Sequence, residues 1–417
     1  MDDGIVIVGA SHAGIGFAEA MRSYGYAGSL ILIEKQNGLP VERPPLSKDF
    51  LLMEKQEVND RFFLRTADWY LQKNIQLKTG VAVISVNREE KSILLNDGSN
   101  MNYQKLVFAT GAIPYQFPNT QNLQNVFVLR NLYEAIAIRD KAKNASSVII
   151  IGGGYIGLEV AASLRTLGLV VDVVEMQERI LARVASPMMA KKIKDLHYKH
   201  GVNVHVDCCI KTLNNDGKNF SHAVLNNGKK ITADMLVVGI GVRPDSDLAS
   251  TASLTTNSKD KGSIVVNEKL ITDDPDILAI GDVALKYLNS LRIESVHNAQ
   301  EDAKQAAASL MNISGFERGI PWFWSDQYDK TLQSVGLVPL EEDGIKYISR
   351  PGKREGGSSV WSFVGNQLTA VEALSDPAAF MIGKKYLEVG LSPDPSIVND
   401  PSVDLKAHFK QEIKIAS

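Results

Sequence analysis

Three glycines and one acid are the first residues in this chain whose spacing points to chemistry. Gly152, Gly154 and Gly157 fall on G-x-G-x-x-G, and Glu175 follows about twenty residues on. In that pattern the first glycine turns the chain and the second lets backbone approach a pyrophosphate. The third lets a helix pack closely on a strand, and the acid accepts hydrogen bonds from a ribose. The context agrees. Ser147 to Ile151 is a β-branched run suited to a buried strand, a helix follows the glycines, and a second strand, Val170 to Val174, runs into Glu175. The bland alternative is a glycine-tolerant turn in an unrelated sheet.

The same unit occurs near the start of the chain. A strand, Gly4 to Val8, leads into Gly9-Ala-Ser-His-Ala-Gly14 and a helix from Ile15 to Ser23; a strand from Ser29 to Ile33 then ends at Glu34. Ser11 stands where the middle glycine is expected. Two dinucleotide turns in one chain imply one tightly held cofactor and one that exchanges, usually FAD first and NAD(P)H second. The alternative is a repeat with only one turn in use.

Other residues fit around a flavin. The prolines of Glu42-Arg-Pro-Pro-Leu-Ser-Lys48 fix an extended segment closed by a lysine. Beside an isoalloxazine, Lys48 would favour the anionic reduced form; otherwise it is a solvated surface lysine. Asp276 to Asp282 reads as a strand ending in Gly-Asp, placed to hold ribityl hydroxyls. Ser295 opens an Ala-rich helix to Leu310, whose N-terminus would stabilise negative charge on the flavin.

The elements that must position these groups form an α/β chain. The reading is two Rossmann-like dinucleotide-binding domains, glutathione-reductase-like, plus a C-terminal α+β domain. Residues 1–113 with 242–320 make a split FAD-binding domain, 114–241 an NADH-binding domain, and 321–417 the tail. Strands ending in Ala109-Thr-Gly111 and Gly239-Ile-Gly241 carry the chain between domains. Val202 to Ala233, with turns at Asn215-Asp-Gly and Asn226-Asn-Gly, reads as a β-meander. The tail opens on Trp322-Phe-Trp-Ser-Asp-Gln-Tyr328 and turns at Glu342-Asp-Gly and Pro351-Gly-Lys. Its Lys346 to Arg350 and Lys353-Arg354 hint at a docking patch.

Composition narrows the function. A net charge of −3 over 417 residues gives no general drive toward nucleic acid or anionic membrane. No stretch is apolar enough to span a bilayer. Met1-Asp-Asp-Gly runs straight into a strand, so no signal peptide is expected and the location is cytoplasmic. The two cysteines, Cys208 and Cys209, are adjacent and read as free thiols. No C-x-x-C and no cysteine near the first turn exists, which removes the disulfide oxidoreductases and the single-cysteine NADH oxidases.

Gly9-x-x-x-Ala13-Gly14, Arg43-Pro-Pro-Leu-Ser-Lys48, Ala109-Thr-Gly111, Gly152-Gly-Gly-Tyr-Ile-Gly-Leu-Glu159, Gly239-Ile-Gly-x-x-Pro244, Ala279-Ile-Gly-Asp282, Glu294-Ser-Val-x-Asn-Ala299 and Trp322 to Tyr328 follow one another in that order along the chain. In these, and over essentially its whole length, the chain resembles the FAD-dependent ferredoxin reductases of oxygenase and cytochrome P450 systems. The Trp-Phe-Trp-Ser-Asp-Gln segment is the most specific part.

The resemblance implies FAD contacts at Gly9, Ala13, Gly14, Glu34, Lys35, Arg43, Lys48, Val83, Ala109, Gly111, Arg130, Asp282 and Val296. Val83 and Arg130 come from it alone. It implies an NADH site at Gly152, Gly154, Tyr155, Ile156, Gly157, Glu159, Glu175 and Gly241, with Glu159 facing the nicotinamide. Lys48, Glu159 and Trp324 would be the catalytic set, Trp324 lying at the flavin edge where a 2Fe–2S ferredoxin docks. Ser11 and Val41 depart from the commonest pattern, with small expected effects on FAD binding. The implied reaction passes electrons from NADH through FAD, singly, to the ferredoxin and onward to an oxygenase or P450. Rubredoxin reductase, an apoptosis-inducing-factor-like oxidoreductase and an NADH-sensing flavoprotein are the alternatives.

Overall fold

The strand Ile5–Val8 is buried along its whole length, and a computed structural model shows why: it is the centre of a five-stranded parallel sheet. The structure describes residues 4–53, 60–286, 291–340 and 343–416. The expectations for Met1 to Asp3 and for a turn at Glu342 therefore lie outside the described residues.

The chain divides into two units. The first comprises Met1–Glu42, Glu57–Ile113 and Val242–Arg318. Its parallel sheet has the order Ile277–Ala279, Lys105–Phe108, Ile5–Val8, Leu30–Glu34, Gln76–Thr79. Every residue of Ile5–Val8 is buried, as a β-branched run between two covering layers should be. The helices His12–Ser23 and Val296–Leu310 pack on each other through small residues: a side chain at Gly16 would press on Ala303. A separate three-stranded antiparallel sheet, Val83–Asn87, Ser92–Leu95 and Asn100–Asn102, branches from this unit.

The second unit comprises Arg43–Gln56, Pro114–Gly241 and Gly319–Ser417. Its parallel sheet runs Asn203–His205, Val170–Val174, Ser147–Ile151, Met235–Val238, Val126–Val128. The meander expected from Val202 begins later, at Ile210. Asn203–His205 instead pairs in parallel with Asp172 to Val174 and forms the sheet's edge. Three residues are too few for periodicity to separate these outcomes. Cys208 is buried and Cys209 exposed, both as free thiols.

The tail is a five-stranded antiparallel sheet in the order Trp322–Gln327, Lys330–Gly336, Gln367–Leu374, Ser358–Val364, Ile345–Pro351. The helix Pro377–Glu388 covers one face, closing a core of Trp361, Phe363, Phe380 and Tyr386.

Candidate functional site

The two glycine turns are built alike. Gly9 and Gly152 have φ of +106° and +105°, a region that favours glycine. A side chain on either would also strike a carbonyl of the neighbouring strand, Ala109 or Gly239. Ser11 needs no such freedom. It has φ −107° and ψ −160°, extended backbone open to any residue, and its counterpart Gly154 is likewise extended at φ −78° and ψ 176°. Serine in place of glycine therefore strains nothing in the turn.

Neither of the helices that follow has a side-chain cap at its N-terminus. Their first-turn N–H groups thus face the turn without a side-chain oxygen over them, the arrangement a pyrophosphate completes. A side chain at Gly154 would meet only open space. The acids repeat the symmetry. Glu34 accepts from Ala10 N at 3.1 Å and Gln36 N at 3.0 Å; Glu175 accepts from Gly153 N at 2.6 Å and Gln177 N at 2.8 Å. Each carboxylate is clamped by both oxygens beside its turn and keeps lone pairs for ribose hydroxyls. Both turns fit a dinucleotide.

The expected FAD contacts divide between the units. Gly9, Ala13, Gly14, Glu34, Lys35, Val83, Ala109, Gly111, Asp282 and Val296 lie in the first; Arg43, Lys48 and Arg130 lie in the second. Within the first unit, Asp282 follows the strand Ile277–Ala279, and its carbonyl is gripped by Arg292 Nη1 at 2.8 Å. Ser295 caps the Val296–Leu310 helix by accepting from Asn298 N at 3.0 Å. Lys35 pairs with Asp245 at 3.0 Å, largely in solvent. Val83 opens the first strand of the branching sheet.

The expected nicotinamide contacts, with Lys48 and Trp324, all lie in the second unit, where Lys48 and two serines outside the expected set converge on Glu159. This acid sits on the Tyr155–Thr166 helix with its carboxylate out of solvent. Lys48 Nζ lies 3.0 Å from Oε2, Ser47 Oγ donates to Oε2 at 2.5 Å, and Ser325 Oγ donates to Oε1 at 2.6 Å. Burial raises the Glu159 pKa; Lys48 and the two serines oppose that rise. Lys48 also donates to Pro44 O at 3.1 Å, across the 3-10 turn Pro44–Ser47 that aims it. Tyr155 packs against Phe323 with ring centroids 4.5 Å apart, while Ile156 is half exposed. Gly241 has φ +104°.

The strand Trp322–Gln327 explains this convergence. Successive side chains alternate faces. Phe323, Ser325 and Gln327 meet Tyr155, Glu159 and His197. Trp322 and Trp324 share the other face, 5.5 Å apart, with Trp322 edge-on to Phe380. Reading spacing alone missed Ser47 and Ser325 as partners of Glu159. Both stand inside quoted motifs, but a bond across 112 or 166 residues leaves no trace in local periodicity.

Two tail residues have structural work. Arg350, part of the expected docking patch, is turned onto the carbonyls of Val398, Asp400, Pro401 and Val403. Glu372 is fully buried and accepts from Ser186 N at 3.1 Å, bracing the cap of the Pro187–Lys199 helix. Burial pushes its carboxyl up to about 7. A carboxyl raised on folding adds stability that is complete below its unfolded pKa and is lost as pH rises through the folded value. We expect the melting temperature to fall between pH 5 and 8 as about 2–3 kcal/mol is lost. Glu372→Gln should flatten that part of the slope in thermal melts.

The chain belongs to the pyridine nucleotide-disulphide oxidoreductase family, whose profile matches residues 3–303; a "Reductase C-terminal" profile matches residues 322–409. It is 35% identical over 407 residues to rhodocoxin reductase of Rhodococcus erythropolis, covering 96% of this chain and 93% of that one. It is 34% identical to putidaredoxin reductase of Pseudomonas putida, covering 97% and 96%. Among solved structures, the ferredoxin reductase for the CYP199A2 system from Rhodopseudomonas palustris superposes with a TM-score of 0.91 at 34% identity, covering 98% of this chain and 100% of that one.

Proposed function

We propose that this protein is an NADH-dependent, FAD-containing ferredoxin reductase that delivers electrons singly to a 2Fe–2S ferredoxin serving an oxygenase or cytochrome P450. The observation that carries the reading is the buried Lys48–Glu159 pair, tied through Ser325 to the tryptophan strand of the tail. Relatives along nearly the whole chain are a rhodocoxin reductase, a putidaredoxin reductase and the ferredoxin--NAD(+) reductase component of an anthranilate 1,2-dioxygenase system.

When bound, FAD would supply the redox chemistry that links a two-electron nicotinamide donor to a one-electron acceptor. The Gly9–Gly14 turn with Glu34 binds the retained cofactor, and Asp282 and the Val296–Leu310 helix orient it from the same unit. The Gly152–Gly157 turn with Glu175 binds the exchangeable nucleotide. Glu159 accepts from the carboxamide of the nicotinamide, and Lys48 supplies positive charge where negative charge develops. Trp324 presents an aromatic surface to the ferredoxin. No side chain acts as a general acid or base.

Among the described residues no helix is long and apolar enough to cross a membrane. Free cysteines and NADH as donor support a cytoplasmic location. The test is NADH-driven cytochrome c reduction with and without a 2Fe–2S ferredoxin. Strong stimulation is expected. Slow reduction without stimulation, together with a persistent reduced state, would replace the reductase with an NADH-sensing flavoprotein.

A further inference from the structure

Glu159 is the end of a longer chain of hydrogen bonds. Ser325 Oγ lies 2.6 Å from its Oε1, Gln327 Nε2 lies 3.1 Å from Ser325 Oγ, and His197 Nε2 lies 2.8 Å from Gln327 Oε1. Tyr328 OH completes the series at 3.2 Å from His197 Nδ1. Ser325, Gln327 and His197 are buried.

Chemistry fixes the sense of every link. An ionised carboxylate only accepts, so Ser325 donates to it and must accept from the Gln327 amide. The Gln327 carbonyl then faces His197, whose Nε2 carries the hydrogen. Nδ1 is left bare and accepts from the Tyr328 hydroxyl. Burial holds the His197 pKa down, to about 4, so the ring stays neutral and keeps this one tautomer. Four donors therefore point the same way, toward Glu159, and each polarises the next.

The far end is held at a backbone cost. Tyr328 begins the two-residue connection between the Trp322–Gln327 and Lys330–Gly336 strands with φ +56°. That region favours glycine or asparagine, and a bulky side chain there marks a position fixed by its surroundings. Its ring stacks on His200 at 3.7 Å and 7°, which aims the hydroxyl at His197.

We propose that Tyr328, His197 and Gln327 are positioning residues for Glu159, holding its carboxylate ionised and oriented under Lys48 through a one-way chain of hydrogen bonds. The proposal rests on the reductase reading for its purpose, but the chain itself is a property of the protein. The groups facing Glu159 are Lys48, Tyr155 on its own helix, Ser47 and Ser325, with His197 and Tyr328 behind. Asp326 turns to the other face and accepts from Thr331 at 2.7 Å.

The test follows protonation of Glu159 directly. In pH-difference infrared spectra of the holoprotein, its protonated C=O stretch is the band lost in Glu159→Gln. In Gln327→Met the band should appear at a pH about one unit higher than in the wild type. Tyr328→Phe, which removes one oxygen, should move it the same way by less, and Asp326→Asn should leave it in place. Stopped-flow reduction by NADH should show the same displacement in its pH profile, in the rate at saturation rather than in KM. If Glu159 titrates at the wild-type pH in folded Tyr328→Phe and Gln327→Met, the proposal is wrong. Should Gln327→Met fail to fold, an unmoved band in Tyr328→Phe alone overturns it. A protein that shows the infrared shift but is not reduced by NADH keeps the chain and loses the reductase reading.

Discussion

Lys48→Met is expected to lose stability and rate together, with opposite responses to pH and to a second substitution. In the wild type both charged groups are withdrawn from water, with side-chain exposures of 13% for Lys48 and 1% for Glu159. Removing one partner of such a pair costs about 3–5 kcal/mol, because the remaining charge is buried without compensation. Glu159 escapes that cost by taking up a proton, since the Lys48 ammonium is what chiefly opposes the effect of burial on its carboxyl. The sign follows. A carboxyl that binds its proton more tightly folded than unfolded stabilises the fold as pH falls. The variant should approach wild-type stability at low pH and fall away from it as pH rises, seen in thermal melts across pH 5 to 8. Adding Glu159→Gln should restore stability at high pH, because no charge is then buried. It should not restore the rate. Anaerobic stopped flow should show NADH-driven flavin reduction slowed by about a hundredfold in either variant, while FAD retention changes far less. An unchanged reduction rate in Lys48→Met would remove its assigned role.

How much of this is legible in the sequence depends on the range of the interaction. Both dinucleotide units were legible because their determinants are local. Gly9 to Gly14 and Gly152 to Gly157 each encode a strand, a turn and a helix within one window, and each acid ends the very next strand. Glu34 and Glu175 sit where spacing placed them, with matching backbone bonds. The branching sheet at Val83–Asn102 was missed although Asn96-Asp97-Gly98 repeats the turn signal at Asn215-Asp216-Gly217. There the strands are short and half exposed, so their apolar pattern is weak. The network around Glu159 was invisible for a different reason. Lys48 stands out from its proline segment, and Glu159 and Trp324 take their roles from the resemblance, but nothing in local spacing says that Ser325 lies beneath one of them and beside another. Only packing of the tail's edge strand against the Tyr155–Thr166 helix creates that relation.

Glu175 should give the second large effect, on the choice of nucleotide. Its two oxygens are already engaged by Gly153 N and Gln177 N, so the carboxylate cannot swing aside for a bulkier ligand. A ribose 2′-hydroxyl can donate to it; a 2′-phosphate brings like charge against it. The nearby Arg179 offers no relief, because its guanidinium is spent on the carbonyls of Leu181, Ala182 and Ala185. We expect kcat/KM for NADH to exceed that for NADPH on the order of a hundredfold, the weight of a like-charge contact. Glu175→Ser should narrow the ratio mainly through a lower KM for NADPH, at some cost to NADH because Gly153 N loses its acceptor. If NADPH equals or exceeds NADH in the wild type, the assignment of this turn fails. The same change at Glu34 makes the contrast that separates the two turns. Its carboxylate has the equivalent backbone partners, but in the proposed function it serves the retained cofactor. Glu34→Ser should leave the NADH to NADPH ratio untouched and instead release FAD on dilution or gel filtration. A substitution that alters selectivity at one turn and retention at the other distinguishes the exchanging site from the holding site.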